Sequence, residues 1–277
     1  DNSVSEKDFS VEDKKVETEV DAADTRSRLV ALFLVFAVVV FFWMAFHQNG
    51  LTLTYFARDF VKKSSTGVEG MMFNVTNLVA VIFIIYSLFS LFQSKKIGGK
   101  LISVLVILAS AGYLFYDYSQ LPVSGVEISA PIFQQFNPCF VVALTPISMA
   151  LFGWLASKGK EPSAPRKIGY GMLVAGLGYV VMIMASIGLS YNLTDAQRVS
   201  PNWLVSTYLI LTFAELLLSP MGISFVSKVA PEKYKGLMMG CWFGATAIGN
   251  FLVQIPAYLW KAVPLVYVWG VLVTLCL

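Results

Sequence analysis

The feature that most constrains this chain is a succession of apolar runs, most near the roughly 20 residues a helix needs to cross ~30 Å of hydrocarbon. They fall at about Leu29–Phe46, Met71–Phe92, Leu101–Tyr118, Pro131–Ala156, Ile168–Leu189, Trp203–Val226 and Gly236–Leu259. An eighth opens at Pro264 and stays short. Only 13% of the 277 residues are charged against 57% hydrophobic, and the mean hydropathy is +0.69. Soluble domains carry about twice that share of charge. The expected fold is an all-α polytopic membrane protein.

The charges between the runs set the orientation. With residue 1 on one side and alternation at each run, that side collects 15 of the 20 Lys and Arg residues. Lys and Arg concentrate in cytoplasmic loops, so residue 1 is expected in the cytoplasm. The discordant group is Arg58, Lys62 and Lys63, read as a solvated interface cluster. Residues 1–28 are acid-rich with few large apolar side chains, and are expected to be a mobile or loosely helical linker. The first helix is expected to continue past Gly50 towards Phe56. Gly169, Gly171, Gly176 and Gly178, and Gly236, Gly240 and Gly244, are expected to let helices approach closely. Cys139, Cys241 and Cys276 show no metal-ligand or disulfide spacing, and no phosphate loop or nucleophile triad is visible. The reading is no enzyme, no metal and no cofactor.

Glu215 lies near the middle of the Trp203–Val226 run, with no Lys or Arg between Arg198 and Lys228. An ionisable side chain at the bilayer midplane is costly and is by default a functional-site hypothesis. Ser219 follows four residues later and shares its helix face. Pro220 donates no backbone hydrogen bond and crowds the carbonyl of Leu216, so a kink is expected there. An acid, a hydroxyl and a bent backbone together describe a binding or proton site. Asn137, before Pro138, can both donate and accept. Trp43 and Trp242 offer aromatic walls, and His47 can titrate near neutral pH beside Gln48.

Several segments resemble one family. Lys228-Val229-Ala230-Pro231, Lys235-Gly236-Leu237-Met238-Met239-Gly240-Cys241-Trp242-Phe243 and Ala245-Thr246-Ala247-Ile248-Gly249-Asn250 resemble the penultimate helix of the proton-dependent oligopeptide transporters, within the major facilitator superfamily. Glu215-Leu216, two residues, then Ser219-Pro220 resembles the family's tenth helix. Phe133-Gln134-Gln135-Phe136-Asn137-Pro138 resembles the start of the eighth, and Trp43, two residues, then Phe46-His47-Gln48 the seventh. The resemblance covers roughly 29–60 and 131–277 and implies the C-terminal six-helix half of a twelve-helix fold. The half would begin with a cytoplasmic inter-half linker at 1–28, and its last helix would be truncated. The runs within about 71–118 have no counterpart in the twelve-helix plan and read as an inserted accessory hairpin. His47 stands where the family usually has an acidic residue.

The function implied by this resemblance is proton-coupled symport of di- and tripeptides across the bacterial cytoplasmic membrane, driven by the proton gradient. Glu215, Asn137, Ser219, Trp242 and Trp43 would line the substrate site. His47, Gln48 and Glu215 would line the path or couple protons. The implied partners are the peptide, protons, membrane lipids and the N-terminal half, with no nucleic acid. Two rivals stand beside it: a major-facilitator transporter of another solute, such as nitrate or a drug-like compound, and a structural membrane subunit without transport of its own.

Overall fold

A computed structural model describes the backbone of residues 3–192 and 194–277 and the side chains of residues 23–192 and 194–277. The helices, in chain order, are α1 (Ser3–Phe46), α2 (Thr52–Phe60), α3 (Gly67–Met71), α4 (Val75–Gln93), α5 (Ile97–Ser119), α6 (Phe136–Ser157), α7 (Ala164–Ser186), α8 (Asn202–Val229), α9 (Lys235–Leu252), α10 (Gln254–Tyr258) and α11 (Leu265–Cys276). Short 3-10 turns lie at His47–Gly50 and Ala130–Gln135. Among the described residues, seven helical segments are long and apolar enough to cross a membrane, and α11 is shorter. Hydropathy alone finds these segments because helices are the open-ended structure that satisfies its own backbone in lipid.

The interior is built on α1, α7, α8, α9 and α11. α7 packs along α8 and α11, while α1 lies against α9 and also touches α7, α8 and α11. α6 packs on α8. On α1, Leu32, Phe36, Val39, Phe42, Trp43 and Phe46 are buried, whereas Phe33, Leu34, Val38 and Phe41 are exposed apolar side chains. The buried set recurs at three- and four-residue steps, as one face of a helix must. Both faces are apolar because in lipid the outer face needs no polar residues.

Glycine permits the closest approaches. A β-carbon on Gly171 would lie 3.1 Å from the Ala214 carbonyl oxygen on α8, and one on Gly249 would lie 2.7 Å from the Val40 carbonyl oxygen on α1. The expected stripe of Gly236, Gly240 and Gly244 is different. A β-carbon at any of the three meets nothing within 4 Å among the described residues. Those glycines lie away from the face of α9 that carries buried Trp242, Ala245 and Gly249.

The expectation that the first helix runs unbroken past Gly50 is corrected. α1 ends at Phe46, a 3-10 turn follows, and α2 starts at Thr52 after Leu51 adopts φ −130°, ψ −87°. The penultimate span is also broken, at Val253 between α9 and α10. The backbone of residues 3–28 is helical and continuous with the first span.

α4 and α5 form an antiparallel hairpin whose neighbour in the bundle is α6, reached through α4. Polar pairs fasten it. Asn77 Nδ2 donates to Asp117 Oδ2 at 2.7 Å, Tyr113 donates to Thr76 at 2.8 Å, and Ser103 donates to Ser90 at 3.0 Å. The anchor to α6 is Tyr86, whose hydroxyl donates to the Val142 carbonyl oxygen at 3.1 Å. That carbonyl lacks a helical partner because Pro146, four residues on within α6, has no N–H.

At the end of the bundle where α1 stops, loops from distant parts of the chain are knitted together. Val61 and Val199 form a parallel bridge, and Ser64-Ser65 pairs antiparallel with Val126-Glu127. Arg198 bonds Asp195 at 2.8 Å and the carbonyl oxygens of Arg58 and Val61. The Arg198 guanidinium holds the Asp195 carboxyl below the usual carboxylate range.

Candidate substrate site in the helical bundle

The site centres on one stripe of α8. Tyr208, Thr212, Glu215 and Ser219 follow one another at steps of four, three and four residues, so their side chains share a face. α6 approaches this stripe at its N-terminal end. Asn137 Nδ2 donates to Glu215 Oε2 and to Thr212 Oγ1, each at 3.1 Å. Thr212 is fully buried and donates back to the Tyr208 carbonyl oxygen at 2.7 Å. The Tyr208 hydroxyl donates to the Asn49 carbonyl oxygen at 2.8 Å, tying the stripe to the turn after α1.

One Asn137 amide group thus bridges a hydroxyl and a carboxyl on the facing helix. A hydrogen bond to an ionised group is worth about 1.5–3 kcal/mol, against ~1 kcal/mol for a neutral one. Glu215 has no Lys, Arg or His within ion-pairing distance among the described residues. Its Oε2 is occupied by Asn137, and it is only half-buried. A half-buried carboxyl held by an amide and lacking a cationic neighbour can receive a cation or a proton. Ser219, also half-buried, makes no hydrogen bond to a described residue and lies one turn further along.

Sequence reasoning named Asn137 and Glu215 from two separate runs, and the fold brings them into contact. It missed Thr212 and Tyr208. Their spacing from Glu215 was the available signal, since a polar stripe on an otherwise apolar helix is conspicuous.

The seventh-helix residues are placed at the break after α1. His47 stacks on Trp43 with ring centroids 5.0 Å apart, and its Nδ1 lies 3.1 Å from the Trp43 carbonyl oxygen. The buried Trp43 indole N–H has no partner among the described residues. Gln48, expected along the path, is instead fully enclosed. Its Nε2 donates to the carbonyl oxygens of Met44 (3.2 Å) and Val253 (2.9 Å), and its Oε1 accepts from Thr52 at 2.8 Å. Gln48 therefore joins the two helix breaks to each other. Trp242, expected to line the site, is 2% exposed and packs its ring into the notch at Gly222 on α8, edge-on to Phe36.

A buried cation that sequence reasoning passed over lies at the start of α7, away from the break after α1. Lys167 is 3% exposed. Its Nζ contacts Glu161 at 2.5 Å and sits 4.2 Å from the centre of the Phe152 ring and 3.6 Å from Met221 Sδ. It ties together α6, α7, α8 and the loop before α7.

Comparison with known proteins decides the family. The family model described as "POT family" matches residues 119–269, more than half of the chain. The chain belongs to the POT family. Peptide transporter YePEPT of Yersinia enterocolitica is 33% identical over 172 residues, which is 57% of this chain and 33% of the relative. Dipeptide and tripeptide permease B of Salmonella typhimurium is 28% identical over 264 residues, 88% of this chain and 49% of the relative. This chain thus spans between a third and a half of the length of these relatives. Among solved structures, a POT family transporter in complex with 5-aminolevulinic acid aligns at a TM-score of 0.63, with 21% identity over 91% of this chain and 39% of that one. A peptide transporter POT in complex with sulfate aligns at 0.61, with 23% identity over 92% and 39%. The fold is therefore that of a POT-family half, with five full-length spans, the shorter α11 and an inserted hairpin, and the chain is a multi-pass integral protein of the cytoplasmic membrane.

Proposed function

We propose that this chain is the C-terminal half of a proton-coupled symporter of di- and tripeptides. The observation that carries the reading is the Asn137–Glu215–Thr212 contact between α6 and α8, in a chain of the POT family. An ammonium group is a natural partner for a carboxyl that has no cation of its own, so Glu215 would receive the peptide's amino terminus. Asn137 would hold the carboxyl in place and compete with the ligand for it. Protonation of Glu215 or His47 would then couple binding to the proton gradient. The names of the relatives, a peptide transporter and a di- and tripeptide permease, support the cargo.

The site would be completed by an N-terminal half that rocks against this one around a midplane site. Residues 1–28 would be the cytoplasmic linker between the halves, and the α4–α5 hairpin would be accessory to transport. The open glycine edge of α9 at Gly236, Gly240 and Gly244 offers a surface for close helix packing by that half.

One observation keeps a second cargo in view. His47 replaces the acid usual in the family, and a carrier of another small solute would not need that acid. The test is uptake of a labelled dipeptide by the full-length parent in proteoliposomes, under an inward proton gradient, comparing wild type with Glu215→Gln. The amide still accepts from Asn137, so the variant is expected to fold and to lose gradient-driven uptake. Absence of uptake by well-folded wild type across several dipeptides would reject the peptide reading. Normal uptake by Glu215→Gln would reject the site.

A further inference from the structure

Between α4 of the hairpin and α6, running to the hairpin turn, lies a groove of about 660 Å³. Its walls are Phe89 and the stem of Tyr86 on α4, and Pro146, Met149 and Ala150 on α6. Towards the Tyr86 end, the hydroxyl bond to Val142 crosses between the two helices. Its mouth is polar, with Ser90, Gln93 and Ser94. The Ser90 hydroxyl lies 3.0 Å from that of Ser103, and the exposed Gln93 amide has no bond to a described residue. From Tyr86 to Gln93 the helix rises about 10 Å, a distance that takes most of one leaflet's apolar depth.

The hairpin turn begins at that mouth. Lys95 and Lys96 directly follow Ser94, and Lys100 stands one turn into α5. All three are exposed, and none pairs with an acid among the described residues. The turn is ordered by backbone and hydroxyl bonds, Ser94 N to Ser90 O at 2.8 Å and Ser94 Oγ to Lys96 O at 3.1 Å. One turn beyond Ala150 on α6, Trp154 is half-exposed with Lys158 over its ring at 4.3 Å, which marks the headgroup level.

We propose that this groove holds one anionic phospholipid of the cytoplasmic leaflet. An acyl chain lies along Phe89, Pro146 and Met149, the glycerol esters meet Ser90 and Gln93, and the phosphate headgroup sits among Lys95, Lys96 and Lys100. Apolar walls alone would accept any lipid. The unpaired lysines beside the mouth select a lipid with net negative charge. Basic pockets between membrane helices on the cytoplasmic side recognise such headgroups, and each lysine near an anionic surface contributes about fivefold in affinity. The lipid would fill the seam that Tyr86 bridges, and so hold the hairpin to α6.

The test uses the full-length parent, stripped of lipid in detergent and titrated with phosphatidylglycerol or phosphatidylcholine, with bound lipid counted by native mass spectrometry. Wild type is expected to bind one phosphatidylglycerol well ahead of phosphatidylcholine. The K95Q/K96Q/K100Q variant should lose this preference, up to roughly a hundredfold if the lysines add. Ala150→Trp, at an exposed position on the groove wall, should weaken both lipids with the charges intact. Glycerol phosphate should not compete, because it lacks the chain. Equal binding of the two lipids by wild type, an unchanged preference in the lysine variant, or full competition by glycerol phosphate would each overturn the proposal. So would a change of oligomeric state in Ala150→Trp with lipid binding unaltered, which would assign the groove to a second copy.

Discussion

Gly222 is the position at which a single methyl group should be most disruptive. A β-carbon there would lie 1.8 Å from Trp242 Cη2 and 2.5 Å from both Cζ2 and Cζ3. Carbon atoms rest at about 3.5–4.0 Å, so in Gly222→Ala the ring must withdraw by roughly 2 Å. It has little room, because Phe36 meets it edge-on and the residue is 2% exposed. Overpacking of this kind costs typically 1–3 kcal/mol. Trp242→Phe, which removes the part of the ring that fills the notch, should cost about 1–2 kcal/mol for the lost burial. Combined, the two should cost clearly less than their sum, with a coupling of at least ~1 kcal/mol, because the notch and the ring are two sides of one contact. The assay is thermal unfolding of the full-length parent in detergent, paired with dipeptide uptake. Strict additivity, or a Gly222→Ala protein as stable as wild type, would refute the packing argument. A Trp242→Phe protein of normal stability but altered dipeptide selectivity would show that the ring faces cargo instead.

The remaining predictions concern single polar contacts. Asn137→Ala should reduce uptake at least tenfold while costing about 1.5–3 kcal/mol in stability, since it leaves Glu215 without its donor; retained uptake would separate Asn137 from the site. Tyr86→Phe orphans the Val142 carbonyl, a loss of about 1–3 kcal/mol, and should speed tryptic cleavage at the Lys95–Lys100 turn severalfold with the bundle intact. Glu161→Ala should destabilise more than Lys167→Met, because it leaves a buried ammonium without its carboxylate, whereas the methionine removes the charge. Equal thermal unfolding of those two variants would contradict that ordering.

The number and kind of spans could be read from the sequence because hydropathy is a local property and lipid allows little else. Glu215 could be read for the same reason, since an acid in the middle of an apolar run needs an explanation wherever the run is placed. What lay outside the sequence's reach was pairing between distant segments. Lys167 looks like a loop lysine until Phe152, Met221 and Glu161 are seen around it. The stripe of Gly236, Gly240 and Gly244 has the spacing of a packing surface, yet Trp242, Ala245 and Gly249 face the bundle and the glycines do not. Spacing identifies a face and leaves open what the face meets. The break after Phe46 has a local mark in Asn49-Gly50, a turn dipeptide. Bonds from side chains far along the chain hold it.

Those bonds govern how this half can move. At the break, Tyr179 donates to the Ala45 carbonyl, Tyr208 and Thr54 to that of Asn49, and Gln48 to those of Met44 and Val253. The carbonyls of Met44, Ala45 and Asn49 thereby have side-chain donors at the break, and that of Val253 has one at the second. Hinges work where bonds can be exchanged with solvent or left loose, and this corner has neither freedom. It is a welded elbow, and with Gly249 seated against Val40 and Trp43 it makes α1 and α9 one rigid bracket. On the proposed transport role, bending would fall to the proline-bearing helices, at Pro146 and Pro220, with the bracket carried along as a single lever.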